Sequence, residues 1–103
     1  MSPYAGEMPG PVDLCVLLWA VPGRLDELIR YEDRVLALVA DHGGRVVDRL
    51  RNLGEEGPSE VQVLHFPSQA SLDSYMNDPR RLVLAGDRDR SVARTEVLSV
   101  QRA

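Results

Sequence analysis

The feature that most constrains the fold is the apolar segment VDLCVLLWAV at residues 12–21. Large apolar side chains occupy both sets of alternating positions, so both faces of a strand here would avoid water. The segment therefore predicts a central strand that is covered on each side. It also places the start of a single domain, residues 12–103, after a leader at residues 1–11 whose prolines and glycines predict flexibility.

Five further segments give the order of elements. RLDELIRYEDRVLALVADHGG predicts a helix that Gly43 and Gly44 end. RVVDRLRNL is a charged strand typical of a sheet edge, and EVQVLHF after the turn at 54–59 is an apolar strand. Ser68 and Asp78 are predicted caps of a second helical region in two pieces. GDRDRSVAR then leads to a last strand, TEVLSVQ.

The order β-α-β-β-α-β is typical of a ferredoxin-like α+β sandwich, an antiparallel four-stranded sheet with both helices on one face. The first and third strands are the most apolar, so we expect them in the middle of the sheet. One helical layer covers only one face, however, and apolar side chains on the other face usually mark an interface. The pattern thus predicts a homodimer in which sheet packs on sheet.

Three segments carry a family resemblance: YEDRVLALVADHGGRVV, EVQVLHFPSQASLDSYMNDPRR and RDRSVARTEVLSV. Together the chain from about residue 12 to 101 resembles the dimeric α+β-barrel superfamily, in particular a branch of unknown function near the antibiotic-biosynthesis-monooxygenase-like proteins. The resemblance implies the ferredoxin-like fold and the homodimer. It does not choose an activity, because the superfamily includes cofactor-free oxygenases, cyclases, haem-degrading enzymes and members with no known reaction.

Composition argues against several partners. The net charge is −4, and the 12 basic residues, all arginine, are interleaved with acids, so no nucleic-acid partner is expected. No apolar run approaches the ~20 residues that span a membrane, and no secretory signal precedes the domain, so we expect no membrane partner and a cytoplasmic location. The two histidines lack a cysteine pair nearby, and no nucleotide-binding motif occurs, so neither a metal nor a cofactor is expected.

Glu32 is the first catalytic candidate, because it lies within the apolar stripe of the first helix and so faces the sheet. A buried carboxylate either finds a cationic partner or binds a proton, and a raised pKa is typical of general acid–base sites. The alternative is a structural ion pair with Arg45, Arg49 or Arg94.

His65 is the second catalytic candidate. It alternates with Val61 and Val63, so it points to an apolar face of the third strand. If that face meets the helices, the imidazole can pair with Glu32; if it meets a partner sheet, His65 is an interface residue. His42, before the two glycines, is expected to contact the C-terminus of the first helix.

Trp19, Tyr31, Tyr75 and Arg81 are the candidate ligand-binding residues. The aromatic side chains are expected to wall a cleft between helices and sheet, and Arg80 with Arg81 to hold an anion. Ordinary core packing and solvated arginines are the alternatives.

Three functions are open to such a chain. The first is a homodimer that binds an apolar or aromatic small molecule in this cleft. The second is a cofactor-independent monooxygenase or cyclase for an aromatic or polyketide-like metabolite, in which Glu32 or His65 takes a proton. The third is an assembly protein whose dimer surface is its function.

Overall fold

The computed structural model describes residues 10–103, and the predicted leader therefore lies almost wholly outside the described residues. The described part contains four strands and four helices. The strands are β1 (Val12–Ala20), β2 (Arg45–Arg51), β3 (Glu60–Phe66) and β4 (Val92–Val100). The helices are α1 (Leu25–Leu36), α2 (Gln69–Met76), α3 (Pro79–Leu82) and α4 (Ala85–Ser91), and a 3-10 turn (Val39–His42) follows α1.

The strands form one antiparallel sheet in the order β2-β3-β1-β4. The two apolar strands β1 and β3 are central and the charged strand β2 is at an edge, as the sequence predicts. In the register, Leu14 lies opposite Leu64 of β3 and Ser99 of β4. The predicted ferredoxin-like α+β architecture is confirmed.

The two faces of the sheet have different surroundings. Leu14, Val16 and Leu18 of β1 face the helices and pack in the core with residues such as Leu28 and Phe66. The alternate residues of the strands point away from the helices. This second surface, which we call the open face, includes the apolar side chains Cys15, Leu17, Trp19, Leu50, Val61, Val63, Leu98 and Val100.

The first helical region differs from the prediction at its end. An uninterrupted helix to the glycines was expected, but α1 ends at Leu36 and the chain continues through the 3-10 turn. Gly43 ends that turn with φ +77°, a left-handed conformation that glycine adopts without strain. Gly44 passes so close to β3 that a Cβ there would lie 2.8 Å from the His65 carbonyl oxygen and the Phe66 ring.

The second helical region is divided into three helices, whereas two pieces were predicted. Both predicted caps are confirmed: Ser68 Oγ accepts from the Ser71 amide at 3.1 Å, and Asp78 Oδ1 accepts from the Arg80 amide at 2.8 Å. The extra helix is α4, where a linker was expected. Its sequence AGDRDRS has no apolar stripe to reveal a helix, and ion pairs of Asp87 with Arg34 and Arg90 support it instead. No helix between residues 10 and 103 is long and apolar enough to cross a membrane.

Candidate functional site

A cavity of about 420 Å³ lies between the helices and the covered face of the sheet. This volume is in the range of small-molecule sites in proteins. Most of its lining is apolar and comes from both the sheet and the helices: Leu14, Val16, Leu18, Val35, Leu36, Leu64, Leu72, Met76 and Val97. The remaining lining residues are Tyr31, Glu32, Gln62, Tyr75, Arg81, Arg88 and Thr95.

The arrangement of the elements explains where the cavity opens. The central strands β1 and β3 supply its floor, and α1 and α2 supply walls. The helical layer leaves the edge strand β4 partly uncovered, since Val97 lines the cavity and is nevertheless 55% exposed. Arg88 on α4 is also exposed and lines the cavity. The cavity therefore opens to solvent beside β4 and α4.

Glu32 is buried as predicted, with 5% of its surface exposed, and it lines the cavity. Its partner is neither an arginine nor His65: the Gln62 side chain donates from Nε2 to Glu32 Oε1 at 2.8 Å. The ion-pair expectation is therefore wrong. Burial raises the pKa of Glu32, and the hydrogen bond from Gln62 opposes this effect only in part. A carboxyl with a raised pKa in a cavity can exchange a proton with a bound molecule.

A second buried carboxylate, Glu60, shares the same amide. Gln62 Nε2 also donates to Glu60 Oε2 at 2.7 Å. Burial favours a higher pKa for Glu60, but hydrogen bonds from Arg49, Gln62 and Arg51 outweigh it and lower that pKa. Arg49, an expected partner of Glu32, instead binds Glu60 at 2.7 Å and Asp33 at 2.6 Å. Glu60 is thus stabilised as an anion, while Glu32 is shifted towards the neutral acid.

Three of the four predicted ligand-binding residues, Tyr31, Tyr75 and Arg81, line the cavity with Glu32. The Tyr75 hydroxyl donates to the Val35 carbonyl at 3.0 Å, which fixes the ring in the wall. The Arg81 guanidinium carbon lies 5.3 Å from the centre of that ring, within the range of a cation–π contact. Burial raises the pKa of both tyrosines, so both are held as neutral phenols.

His65 and Trp19 lie on the open face, on the other side of the sheet. His65 Nδ1 is 2.8 Å from Asp13 Oδ1, so the alternative in which it pairs with Glu32 is wrong. Trp19 is stacked against Arg94, whose guanidinium carbon is 4.4 Å from the ring centre. Neither residue lines the cavity. The pairing of His65 with Glu32 and the expected place of Trp19 in the cleft failed for one reason: alternation in a strand shows which residues share a face, but not which face the helices cover.

Three polar lining residues were not identified from the sequence: Gln62, Arg88 and Thr95. Gln62 alternates with Glu60 and Leu64 in β3, and this alternation was the pattern that could have placed Gln62 on the same face of the strand as Leu64. Thr95 belongs to β4, whose covered face it shares with Val97. Arg88 belongs to the unpredicted helix α4.

A second polar cluster joins the 3-10 turn to α2 and α3. His42 Nδ1 is 2.8 Å from Ser74 Oγ, and its Nε2 is 2.7 Å from Asp78 Oδ2. These are the residue types of a catalytic triad, but Asp78 also caps α3 and binds Arg80 at 2.7 Å. Hydrogen bonds from Arg80 and His42 hold the pKa of Asp78 far below its usual range. We interpret the cluster as a structural link, and it replaces the expected contact of His42 with the end of α1.

Among residues 10–103, no group of three or more His, Cys, Asp and Glu side chains is arranged to hold a metal ion.

Comparisons with known proteins extend the description of the fold. No protein-family model and no curated protein sequence matches the chain. Solved structures do match, over more than nine-tenths of the chain. A dabb-family protein with a ferredoxin-like fold from Mesorhizobium loti has a TM-score of 0.68 at 15% identity, with 91% of this chain and 98% of that chain covered. The chain has the ferredoxin-like fold.

Two further structures support this assignment. A Caulobacter crescentus protein, provisionally named an antibiotic biosynthesis monooxygenase, has a TM-score of 0.72 at 17% identity and covers 91% of this chain and 92% of its own. A Rhodopseudomonas palustris protein of unknown function has a TM-score of 0.71 at 18% identity, covering 91% and 83%. The resemblance noted in the sequence is therefore confirmed for the fold, and identities this low say nothing about activity.

Proposed function

We propose that this protein is a homodimer that binds an apolar or aromatic small molecule in the cavity between helices and sheet. The observation that carries the proposal is the cavity itself, about 420 Å³ in volume and lined mostly by apolar side chains. A few polar groups among apolar walls are the usual composition of sites for small organic molecules. The aromatic rings of Tyr31 and Tyr75 add flat surfaces that suit an aromatic ligand.

Filling the cavity tests this proposal. Val97→Phe places a larger side chain at the opening, on a residue that is already 55% exposed and so tolerates bulk. The neutral naphthalene dye prodan, whose fluorescence rises in apolar surroundings, serves as the probe. We expect the affinity for prodan to fall about tenfold in Val97→Phe, because overpacking a site costs about 1–3 kcal/mol.

The matched control is Val83→Phe. Val83 is 78% exposed at the end of α3 and does not line the cavity, so this variant should bind prodan as the wild type does. Equal affinity of Val97→Phe and the wild type would refute binding in the cavity.

The homodimer proposal rests on the open face. Within residues 10–103 no layer covers its apolar side chains, which come from four strands, and Leu98, for example, is 51% exposed. A second copy, related by a two-fold axis, would cover this face with an identical one. Apolar surfaces of this kind on a sheet are otherwise prone to aggregate.

Sedimentation at micromolar concentration tests the dimer. We expect the wild type to sediment as a dimer and Leu98→Arg to weaken it at least about a hundredfold, because an unpaired charge buried in an interface costs several kcal/mol. Leu82→Arg is the control, since Leu82 is 53% exposed on α3, away from the open face. A monomeric wild type, or a dimeric Leu98→Arg, would contradict the proposal.

A cofactor-independent monooxygenase or cyclase is the second candidate, and the position of Glu32 favours it. The carboxyl lines the cavity, and burial raises its pKa, as suits a group that takes a proton from an aromatic or polyketide-like substrate. The name of the Caulobacter crescentus protein is consistent with the same chemistry.

Oxygen consumption with an anthrone as substrate tests this second candidate. If Glu32 is the base, Glu32→Gln abolishes the consumption, whereas Glu55→Gln in the exposed turn after β2 leaves it unchanged. A wild type that binds prodan but consumes no oxygen with the anthrone would support binding without this oxygenation.

A further inference from the structure

The cavity is lined by arginines that have no carboxylate partner among residues 10–103. Most arginines form ion pairs with carboxylates, as Arg49 and Arg80 do. Arg81 and Arg88 both line the cavity, and neither forms an ion pair with any residue between 10 and 103. The cavity therefore contains two positive charges that no carboxylate of residues 10–103 pairs with.

Unused hydrogen-bonding groups accompany these charges. Arg81 Nε and Thr95 Oγ1 are both buried, and within residues 10–103 neither has a hydrogen-bond partner. Buried polar atoms are nearly always paired, because an unpaired one costs about 1–3 kcal/mol. Both atoms belong to residues that line one cavity, and a ligand oxygen brought within reach of them would supply the missing partner. Arg81 is also held against the Tyr75 ring, so its guanidinium is oriented in advance.

Among residues 10–103, Glu32 is the one acidic side chain that lines the cavity, and its negative charge would repel an anion. Burial raises the pKa of Glu32 and so favours its neutral form, which reduces the repulsion. Gln62 holds one of its oxygens in place. The net balance of the lining thus favours a ligand with a negative charge at the end of the cavity near Arg81 and an apolar body over Leu14, Val16 and Leu64.

We propose that the ligand is an amphipathic carboxylate, an apolar or aromatic body with one carboxylate group, which Arg81 and Thr95 bind. This inference rests on the proposed function, because it names the class of molecule that the cavity takes. A planar carboxylate can accept two parallel hydrogen bonds from a guanidinium, and such charge-assisted bonds are about twice as strong as neutral ones. The exposed guanidinium of Arg88 adds attraction at the opening.

The test compares naphthoate with naphthamide, which have the same shape and differ in charge. Their affinities are measured by displacement of prodan or, where prodan does not bind, by calorimetry. We expect the wild type to bind naphthoate at least about tenfold more tightly than naphthamide. Arg81→Gln should remove most of this preference by weakening naphthoate and leaving naphthamide almost unchanged.

Arg30→Gln is the matched control, because Arg30 is an exposed arginine of α1 outside this cavity. It should leave both affinities as in the wild type. Arg88→Gln is a second variant in case Arg81→Gln fails to fold, since Arg88 is exposed and its side chain forms no ion pair with residues 10–103. It should lower the preference for naphthoate about threefold through lost attraction.

The outcomes separate the two proposals. If prodan and both naphthalene compounds bind with no preference for the acid, or if Arg81→Gln weakens both equally, the carboxylate proposal is overturned and the cavity remains an apolar site. If prodan, naphthoate and naphthamide all fail to bind the folded wild type, the proposed function fails and the carboxylate proposal fails with it.

Discussion

Gln62→Leu removes the group that connects the two buried carboxylates of the site. Gln62 is 1% exposed, and its Nε2 donates to Glu32 Oε1 and to Glu60 Oε2 at 2.8 and 2.7 Å. Leucine has a similar size and no donor, so the packing is preserved while both hydrogen bonds are lost. Water has almost no access to replace them. Glu60 keeps Arg49 and Arg51, but Glu32 loses the one side-chain hydrogen bond it has among residues 10–103.

The magnitude follows from these contacts. A hydrogen bond to a charged group contributes about 1.5–3 kcal/mol, and a bond to a group shifted towards neutrality contributes less, about 1 kcal/mol. The added apolar surface of leucine regains about 1 kcal/mol of that loss. We therefore expect Gln62→Leu to lower the free energy of unfolding by about 1.5–3 kcal/mol at neutral pH.

Urea unfolding followed by circular dichroism measures this change, at one fixed protein concentration because a dimer unfolds in a concentration-dependent way. Gln69→Leu is the matched control: its amide donates to Asp73 at 2.9 Å on the exposed side of α2, so its loss should cost less than about 0.5 kcal/mol. A second comparison uses Glu32→Leu as the background. There Gln62→Leu should cost about 1 kcal/mol less, because the shared bond is already gone.

Two results would refute this account of the network. One is a loss below about 1 kcal/mol for Gln62→Leu, which would mean that the amide contributes little. The other is strict additivity with Glu32→Leu, which would mean that the two side chains do not interact.

Three further predictions concern single residues. Burial raises the folded-state pKa of Glu32, so the wild type should lose stability as pH rises through that pKa. Glu32→Gln cannot ionise, so in thermal unfolding its stability relative to wild type should increase over the same pH range. A stability difference that stays constant with pH would contradict the prediction. Gly44→Ala should destabilise by about 1–3 kcal/mol in urea unfolding, since its Cβ would meet β3 backbone and the Phe66 ring; an unchanged midpoint would be contrary. Ser68→Ala should cost about 1 kcal/mol through the lost cap, and no measurable change would show the cap unused.

The sequence predicted the fold well because its strongest patterns are local. The span of β3 agrees with the prediction, and β1 differs from it by one residue at its end. The caps at Ser68 and Asp78 follow from side-chain chemistry within three residues. By contrast α4 was missed, because a short charged helix held by ion pairs with Asp87 has no apolar periodicity.

The site was predicted only in part, since it depends on contacts between distant segments. The position of Glu32 in the apolar stripe was enough to predict its burial, because the stripe is a local pattern within one helix. Its partner comes from β3, and no pattern within α1 indicates Gln62. Arg49 of β2 was an expected partner of Glu32, but Glu60 of the adjacent strand β3 binds it instead.

Strand β3 explains why His65 does not pair with Glu32 and what this implies for the sheet. In a sheet covered on one side only, the apolar residues of a strand face the core and the polar residues face water. In β3 the covered side begins with the polar pair Glu60 and Gln62, whereas the open side has Val61 and Val63. Such a strand is stable with its polar pair buried only because Arg49 and Arg51 neutralise Glu60.

This placement of polar residues on the covered side of β3 and apolar residues on its open side links the two proposals for this protein. Because the side chains of Glu60 and Gln62 have hydrogen-bond partners within the chain, the covered side of β3 gives the cavity a floor whose polar groups are held in place. Within residues 10–103 no layer covers the apolar open side of β3, and the sheet of a second copy would cover it. A chain with only the first property could hold a ligand as a monomer. The presence of both on one strand is the reason to expect a dimer in which each chain has its own cavity.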